Sequence, residues 1–417
     1  MSIGQLGQLP DRANFTKDFP VLGKTINGRS PVYLDSAATS LTPRPVIDAV
    51  ARYGLDLCGA VHRGQHQWSD ATTEAYETAR REVANFLCAA PDEVVFVRNA
   101  TEAINVVAQG LPWAEDDEIV IGHDAHHSNA LPWRVAARTV VVPLDRHGLW
   151  DLNRYEDILK RRPKLVALTH VSNVTGIYQP LQQLIAMAKA VDALVLVDAC
   201  QAIPHEQLKV QELNMDILAF SAHKMLGPTG IGVLYVRRQL MRTMTPRYIG
   251  GGSVEWVDRT NFRRRAGPRA YEAGTPNVGG VLGLAAALKY LDGLGWSAVS
   301  AHNDEMSDVI YGEARKRASY LNIIYPDTPA RRAGLVSFSF AGNLRADDVA
   351  RMLSDSFGIM CRAGHLCAQP LVDEFKASGV LRASAYVYNE PRDIRQLFET
   401  LDEIAVRLAH PPFRRRV

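Results

Sequence analysis

The strongest chemical signal in the sequence is a lysine that stands between an apolar run and a glycine-rich turn. This residue, Lys224, lies in SAHKMLGPTGIG. Most surface lysines have no chemical role, but an earlier apolar run, ALVLVD, ends on Asp198, and Gln201 follows three positions later. Because the carboxyl ends of parallel strands form a ligand crevice, we expect these three side chains to lie near one another.

Such a set of side chains matches the needs of pyridoxal phosphate (PLP). This cofactor requires a lysine for its aldehyde, a carboxylate opposite its pyridine nitrogen and helix-terminal groups for its phosphate. Asp198 would keep the nitrogen protonated. Gln201 could donate to the ring hydroxyl oxygen, and Asn173 in THVSNVTG could do likewise. Asp198 could instead cap the helix expected after it.

The segment VRNATEAINVV predicts a place for the phosphate. It has the pattern of a strand, a turn and a helix start, with Asn99 as N-cap and Glu102 three residues later as its capping partner. Thr101 then lies in the first turn, where free N–H groups and the helix dipole favour an anion. A well-capped helix without a ligand would show the same pattern.

Three histidines and an aspartate lie close together in IGHDAHHSNALPW. These residue types could bind a metal, but no second cluster with ligand spacing supports such a site, and we predict none. An imidazole from His126 or His127 that stacks on a planar cofactor explains the position equally well.

A cysteine near the C-terminus could act as a nucleophile. In CRAGHLCAQP, Arg362 and His365 would favour the thiolate of Cys367, and Gly364 would let the loop move. Cys361 could instead be the reactive thiol, and a buried structural role is common for cysteine. The chain has 5 cysteines without CxxC spacing, so neither a disulfide framework nor a zinc knuckle is indicated.

Apolar runs separated by amphipathic stretches predict the frame that positions these residues. The helical patterns at 101–111 and 181–191 lie between such runs. This alternation is typical of an α/β fold with a mostly parallel, doubly covered central sheet. The apolar runs lie at 93–97, 118–122, 165–170, 193–199, 217–223 and 232–236.

The pattern of apolar residues changes around residue 290. A smaller domain with mixed strand and helix patterns is predicted to begin there. We predict an N-terminal segment, 1–30, that packs on this small domain. A large cofactor-binding α/β domain would cover 31–290. A small C-terminal α+β domain, 291–417, would carry the Cys367 loop.

Net charge and hydropathy indicate which classes of partner the protein binds and where in the cell it is located. The chain has 47 basic and 45 acidic residues, a net of +2, which gives no field to gather nucleic acid or an anionic membrane. No apolar segment approaches the roughly 18 residues needed to cross a bilayer. The first residues carry no targeting pattern. We therefore predict a cytoplasmic protein that binds neither nucleic acid nor membrane.

Ten motifs, taken together, resemble those of the class V aminotransferase-fold cysteine desulfurases, most closely the SUF-type, or group II, branch. The resemblance runs from about residue 20 to about residue 405. It implies a fold type I PLP enzyme, normally a homodimer, that converts L-cysteine to L-alanine and an enzyme persulfide. In chain order the motifs are YLDSAATS, VHRGQHQWSDATTEAYE, TEAIN, AHHSNALPW, THVSNVTG, LVDACQA, SAHKMLGPTGIGVLY, YEAGTPN, AGHLCAQP and RASAYVYN.

By that resemblance, several residues are expected to hold the cofactor. Lys224 matches the lysine that binds it covalently, and Asp198 matches the partner of its pyridine nitrogen. Gln201 matches the group near the ring oxygen, and His126 matches the histidine that stacks on the ring. Asn173 is expected near both the cofactor and the substrate. Contacts to the phosphate are expected from Thr101, Ser221 and His223.

The resemblance also implies the residues that handle the substrate. Arg382, which opens RASAYVYN, is similar to the arginine that pairs with the substrate carboxylate through two hydrogen bonds, a geometry that lysine could not reproduce. Cys367 matches the sulfur-accepting cysteine. We expect Arg362 and His62 to contact the substrate as well. Thr275 looks like the threonine that reaches the phosphate bound in the other subunit. A sulfur-acceptor protein is the expected partner.

The chain departs from the pattern of many relatives at several positions. Leu366 stands where many have a second histidine before the cysteine, Ala125 replaces an acidic residue, and Ser36 lies in the first motif. Other reactions use the same scaffold, because Lys224 and Asp198 would serve a selenocysteine lyase, another carbon–sulfur lyase, an epimerase or an aminotransferase. A non-catalytic scaffold is the alternative from a different class, and the intact cofactor residues argue against it.

Overall fold

The computed structural model describes residues 9, 15, 17–342 and 344–409, and its strands follow the apolar runs of the sequence. All six predicted runs form strands of one sheet. In chain order the strands are β1 Val32–Tyr33, β2 Val94–Val97, β3 Glu118–Gly122, β4 Arg138–Val142, β5 Leu165–Thr169, β6 Leu194–Asp198, β7 Ile217–Ser221, β8 Gly232–Val236, β9 Val254–Val257, β10 Phe262–Arg264, β11 Leu321–Ile323, β12 Leu335–Phe340, β13 Ile359–Met360, β14 Arg362–Gly364 and β15 Val380–Ser384.

The central sheet has seven strands in the order β2-β8-β7-β6-β5-β3-β4. Strand β8 runs antiparallel to both of its neighbours, and the other pairs are parallel. The structure therefore confirms the α/β fold with a mostly parallel sheet. Strand β4 was not predicted. It lies at the edge of the sheet, where its partly exposed residues give a weaker apolar signal.

Helices cover both faces of this sheet because successive strand residues point to opposite sides. In β5, Val166 and Leu168 pack in one apolar cluster, whereas Leu165 and Ala167 pack in another. The helices are α1 Arg44–Arg52, α2 Gln67–Leu87, α3 Ala100–Gly110, α4 Leu131–Ala136, α5 Leu152–Leu159, α6 Leu181–Lys189, α7 Arg238–Met241, α8 Val278–Leu294, α9 Trp296–Arg315, α10 Ala346–Met352, α11 Gln369–Glu374 and α12 Pro391–Ala409. Helices α2 and α8 lie on the first face and α3 on the second.

A second, antiparallel sheet forms the C-terminal part, in the order β11-β12-β15-β14. It shares a separate apolar cluster with α9, α10 and α12. Helices α8 and α9 meet at a bend of 80°. The predicted boundary at residue 290 falls inside α8, shortly before that bend. The structure thus has the smaller α+β part predicted for the C-terminal side.

The N-terminal segment touches both parts of the chain, although most of residues 1–16 lie outside the described residues. The amide of Asn27 donates to the carbonyl of Asp355 in the C-terminal part (2.7 Å). Phe19 packs its ring against Tyr290 in the large part and against Tyr388 in the C-terminal part. The predicted limits of the three segments stay a prediction.

Among the described residues, no single helix is long and apolar enough to cross a membrane. Helices α8 and α9 reach that length and composition only when they are taken together as a pair bent by 80°.

Candidate active site

A cavity of about 270 Å³ opens at the carboxyl ends of the central strands. Thr169, Asp198 and Ser221 are the last residues of β5, β6 and β7, and all three line it. This is the crevice expected for a parallel sheet. The predicted site residues that line it are Thr101, His126, Asn173, Asp198, Gln201, Ser221, His223, Lys224, Arg362, Cys367 and Arg382.

Lys224 ends a short 3-10 turn that directly follows β7. The carbonyl of the preceding residue, His223, accepts hydrogen bonds from the backbone N–H of Ser40 (2.7 Å) and from its hydroxyl (3.0 Å). The hydroxyl of Ser40 in turn accepts from the N–H of Leu226 (2.7 Å). Ser40 therefore holds the backbone at the residues on either side of Lys224. This fixes the position from which the lysine side chain enters the cavity.

Asp198 is only 7% exposed, and its Oδ1 accepts a hydrogen bond from the N–H of Cys200 (3.1 Å). The alternative that it caps a following helix is wrong, because residues 200–205 form turns. Gln201 lies beside it, and its amide donates to the carbonyl of Ala37 (2.7 Å). A buried carboxylate at a ligand cavity is suited to hold a positively charged ring nitrogen.

The start of α3 forms one end of the cavity, and its groups are suited to an anion. Asn99 caps this helix, since its side chain accepts from the N–H of Glu102 (2.9 Å). The hydroxyl of Ser221 accepts from the N–H of Ala100 (2.9 Å), which joins the helix start to the end of β7. The hydroxyl of Thr101 lies 2.7 Å from that of Ser128. These hydroxyls and the helix N-terminus together suit a phosphate.

The histidine cluster contributes one ring to the cavity, and that ring is His126 rather than His127. Its Nδ1 accepts from the N–H of Ser128 (3.1 Å). Burial, together with the nearby charge of Lys224, lowers the pKa of His126 to about 4, so the ring is neutral at pH 7. A neutral imidazole can stack on a planar cofactor. Across residues 17–342 and 344–409, no group of three His, Cys, Asp or Glu side chains is arranged to hold a metal.

Three polar atoms around the cavity are buried without a hydrogen-bond partner: Asn173 Oδ1, Thr169 Oγ1 and Arg382 Nε. An unsatisfied buried polar atom costs roughly 1–3 kcal/mol, and three around one cavity indicate a polar ligand that supplies their partners. The residues therefore fit PLP with an amino acid beside it. They offer an amine, a carboxylate, a neutral aromatic ring and an anion site.

Arg382 is 3% exposed and stands where the two parts of the chain meet. Its Nη1 donates to the carbonyl of Asn173 (3.0 Å), and its Nη2 donates to Asp35 (3.2 Å). Arg362 pairs with it across β14 and β15, but is exposed. Sequence reasoning missed the contribution of Asp35 and of Ser128, although both lie inside recognised motifs, YLDSAATS and AHHSNALPW.

The thiol of Cys367 is exposed and lines the same cavity as Lys224. Its carbonyl accepts from the N–H of His127 (2.7 Å), which brings the C-terminal loop onto the large part of the chain. Cys361 does not line this cavity, and burial raises the pKa of its thiol well above the usual range. Between the two candidates, the geometry favours Cys367 as the nucleophile.

Two predicted residues are not brought into this cavity by one copy of the chain. His62 Nε2 lies 2.7 Å from Glu77 Oε1, and this ring lines a separate cavity near Glu272. Thr275 lines another separate cavity next to that one. Glu272 is held by a buried ion pair with Arg80 (2.7 Å), so the loop that carries Thr275 is firmly anchored. The role of Thr275 stays a prediction that requires a second copy, and the predicted contact of His62 with the substrate is not formed within one copy of the chain.

The buried imidazoles lead to a prediction about stability and pH. Burial lowers the pKa of His170 to about 3, below its ordinary value of 6.5. The unfolded chain therefore binds a proton below about pH 6.5 that the folded chain excludes, and stability falls as the pH drops from 6.5 towards 3. Each such histidine contributes a slope of up to about 1.4 kcal/mol per pH unit. His205, His126 and His223 add to it, with pKa values of about 3, 4 and 4.

Urea unfolding at pH 7 and pH 5 measures this effect. We expect a lower free energy of unfolding at pH 5, and a smaller difference between the two pH values for His170→Leu than for the wild type. His147→Leu, in a part-exposed turn, is the matched control and should keep the full difference. An unchanged difference in His170→Leu would contradict the prediction.

Comparison with known proteins agrees with this geometry. The family model described as Aminotransferase class-V matches residues 32–397. The probable cysteine desulfurase 2 of Mycobacterium leprae is 40% identical over 399 residues, which cover 93% of this chain and 95% of that protein. A cysteine desulfurase of Klebsiella pneumoniae is 41% identical over 397 residues, 93% of this chain and 96% of its own length.

Solved structures are similar over nearly the whole chain. The apo cysteine desulfurase of Thermococcus onnurineus NA1 has a TM-score of 0.88 at 35% identity, covering 95% of this chain and 98% of that one. The cysteine desulfurase CsdA of Escherichia coli has a TM-score of 0.86 at 35% identity, covering 96% and 100%.

Proposed function

The chain belongs to the class-V aminotransferase family, and from this premise we propose that it is a PLP-dependent cysteine desulfurase that takes the sulfur of L-cysteine onto Cys367. The observation that carries the proposal is the position of this thiol. Cys367 is exposed at the cavity that Lys224, Asp198 and Arg382 also line. A reaction that only moved an amino group would require no cysteine there.

Different residues of the chain carry out the separate steps of this reaction. PLP supplies an electron sink for the bond-breaking steps and would be held by Lys224, Asp198, His126 and the start of α3. Arg382 binds the substrate carboxylate. The Nζ of Lys224 takes the α-proton of the substrate and later returns a proton to carbon. The thiolate of Cys367 attacks the substrate sulfur.

The atoms balance without an external oxidant or reductant. One S–S bond forms between Cys367 Sγ and the substrate sulfur while the substrate Cβ–S bond breaks, and its electron pair stays with the carbon. That carbon is reduced to the methyl group of alanine, and Cys367 is oxidised to a persulfide. The proton lost from the Cys367 thiol is matched by one gained at carbon. A thiol of an acceptor protein then removes the outer sulfur.

The test of this function is the substitution Cys367→Ala. We expect alanine formation from L-cysteine to be abolished, because no thiol remains to accept the sulfur, whereas the absorbance of the bound cofactor should stay. Alanine and protein persulfide are measured after mixing the enzyme with L-cysteine. Cys58→Ala removes another exposed cysteine and is the matched control, with activity like that of the wild type.

Unchanged alanine formation in Cys367→Ala would contradict the proposal. A wild type that releases a keto acid and a stable aminated cofactor would instead be an aminotransferase. Activity on selenocysteine that survives Cys367→Ala, with none on cysteine, would identify a selenocysteine lyase.

The assembly and the partner are part of the proposal. In a homodimer, Thr275 would reach the phosphate bound in the other subunit, and His62 would approach the substrate; their position outside the cavity of their own chain supports this arrangement. The resemblance to the SUF-type branch favours a protein as the sulfur acceptor. The cytoplasmic location stays a prediction from the sequence.

A further inference from the structure

The loop that carries Cys367 has a strained backbone. Leu366 and Cys367, two consecutive residues with side chains, have φ values of 53° and 55°. This left-handed region is unfavourable for any residue with a Cβ, and such strain persists only where the surroundings hold it. Contacts around the loop must therefore keep these two residues in place.

The side chains on either side of the cysteine supply the first of those contacts. Leu366 is 9% exposed and Ala368 is 1% exposed, whereas Cys367 between them is exposed. Both flanking residues belong to an apolar cluster with Val174, which follows β5, and with Leu371 of α11. Leu366 thus packs in this cluster and also forms part of the cavity wall, next to the exposed Cys367.

The two strained residues are also tied through their carbonyls. The side-chain amide of Asn173 donates to the carbonyl of Leu366 (2.8 Å), and the N–H of His127 donates to the carbonyl of Cys367 (2.7 Å). Both donors come from the large part of the chain. The loop is therefore fastened to the cofactor-binding part rather than free to swing, although Gly364 precedes it.

We propose that Leu366 is a positioning residue that holds the thiol of Cys367 at the cavity by burying its own side chain in this cluster. The inference rests on the proposed desulfurase function. It assigns a role to the leucine that stands where many relatives have a histidine. Without the buried side chain of Leu366, the backbone of Leu366 and Cys367 would relax out of the left-handed region. The Sγ of Cys367 would then no longer be positioned to attack the substrate sulfur. Leu366 acts through Cys367 and takes no part in proton transfer.

The experiment compares Leu366→Ala with Leu366→Met in the holoenzyme. Because a displacement of about 1 Å can reduce turnover about 100-fold, we expect kcat for alanine formation to fall about 10- to 100-fold in Leu366→Ala. KM for L-cysteine should stay near the wild-type value, since Arg382 is untouched. Leu366→Met restores an apolar side chain of similar size and should recover most of the lost kcat.

A second readout follows the thiol itself without turnover. Cys367 is exposed, so a maleimide on a polyethylene glycol chain reacts with it at a rate that depends on how the loop presents the thiol. This rate should differ from the wild-type rate in Leu366→Ala, where the loop is released, and should match it in Leu366→Met. Labelling of Cys58, read by peptide mass spectrometry in the same sample, should not change and is the internal control. Leu371→Ala removes another leucine of the same cluster and should leave kcat and Cys367 labelling near wild type.

The possible failures can be told apart. If kcat and labelling of Cys367 are unchanged in Leu366→Ala, or if Leu371→Ala lowers kcat equally, Leu366 has no special role and the inference is overturned. If the wild type forms no alanine from cysteine, the proposed function fails, and the labelling rates still decide whether Leu366 holds the loop.

Discussion

Replacing Lys224 with alanine is expected to lower kcat for alanine formation by about 10²- to 10⁴-fold, the usual contribution of a positioned acid–base group. The reason is structural as well as chemical. Among the described residues that line the cavity, Lys224 is the only lysine, so no second amine stands in its place. His126 and His223 line the same cavity, but as weak bases with pKa values of about 4 they cannot replace it at neutral pH.

Borohydride reduction provides a readout that does not depend on turnover. In the wild type it should attach the cofactor permanently to the peptide that contains Lys224, with the matching gain in mass. In Lys224→Ala that gain should disappear. Lys209→Ala, at an exposed lysine paired with Glu212, is the matched control and should behave like the wild type. Attachment at a different lysine in the wild type would refute the assignment.

The sequence predicted the site well where chemistry and strand ends coincide. Asp198 ends one apolar run and Lys224 lies just after another, and both runs are predicted as strands. A parallel sheet brings its strand ends together at one edge. Ordered motifs then assigned Thr101 and Arg382, which lie far apart in the chain but line one cavity. These residues could be predicted because local pattern and fold topology agree.

Other features depend on contacts that no local pattern encodes. The reversed direction of β8 leaves no trace in GVLYV, because a buried run has the same composition in either direction. The expected mobility of the Cys367 loop came from Gly364 alone, whereas the structure ties that loop through Asn173 and His127. Both donors lie nearly 200 positions or more away in sequence, so tertiary structure decides the outcome. Asp35 was missed for the same reason, since its significance lies in its hydrogen bond with Arg382.

Replacing Arg382 with lysine is expected to raise KM for L-cysteine about 10- to 100-fold, while kcat changes much less. In the structure the Nε of Arg382 is buried without a partner, and Nη2 meets Asp35. A substrate carboxylate on the Nε–Nη2 edge would give Nε the partner it lacks through two parallel hydrogen bonds. Lysine keeps the charge but loses that planar fork. A hydrogen bond to a charged group contributes roughly 1.5–3 kcal/mol, which corresponds to this change in affinity.

The matched control is Arg362→Lys, because this arginine lines the same cavity and pairs with Arg382 across the strands, yet is exposed to solvent. Exposed ion pairs contribute about 0–1 kcal/mol, so we expect KM to rise less than about fivefold. The two variants separate a buried arginine that grips the carboxylate from a solvent-exposed one that only adds positive charge. If charge alone attracted the substrate, neither variant would raise KM, because lysine keeps the positive charge. Equal increases in KM would mean that both arginines bind the carboxylate. A larger increase for Arg362→Lys would transfer the carboxylate-binding role to the exposed arginine.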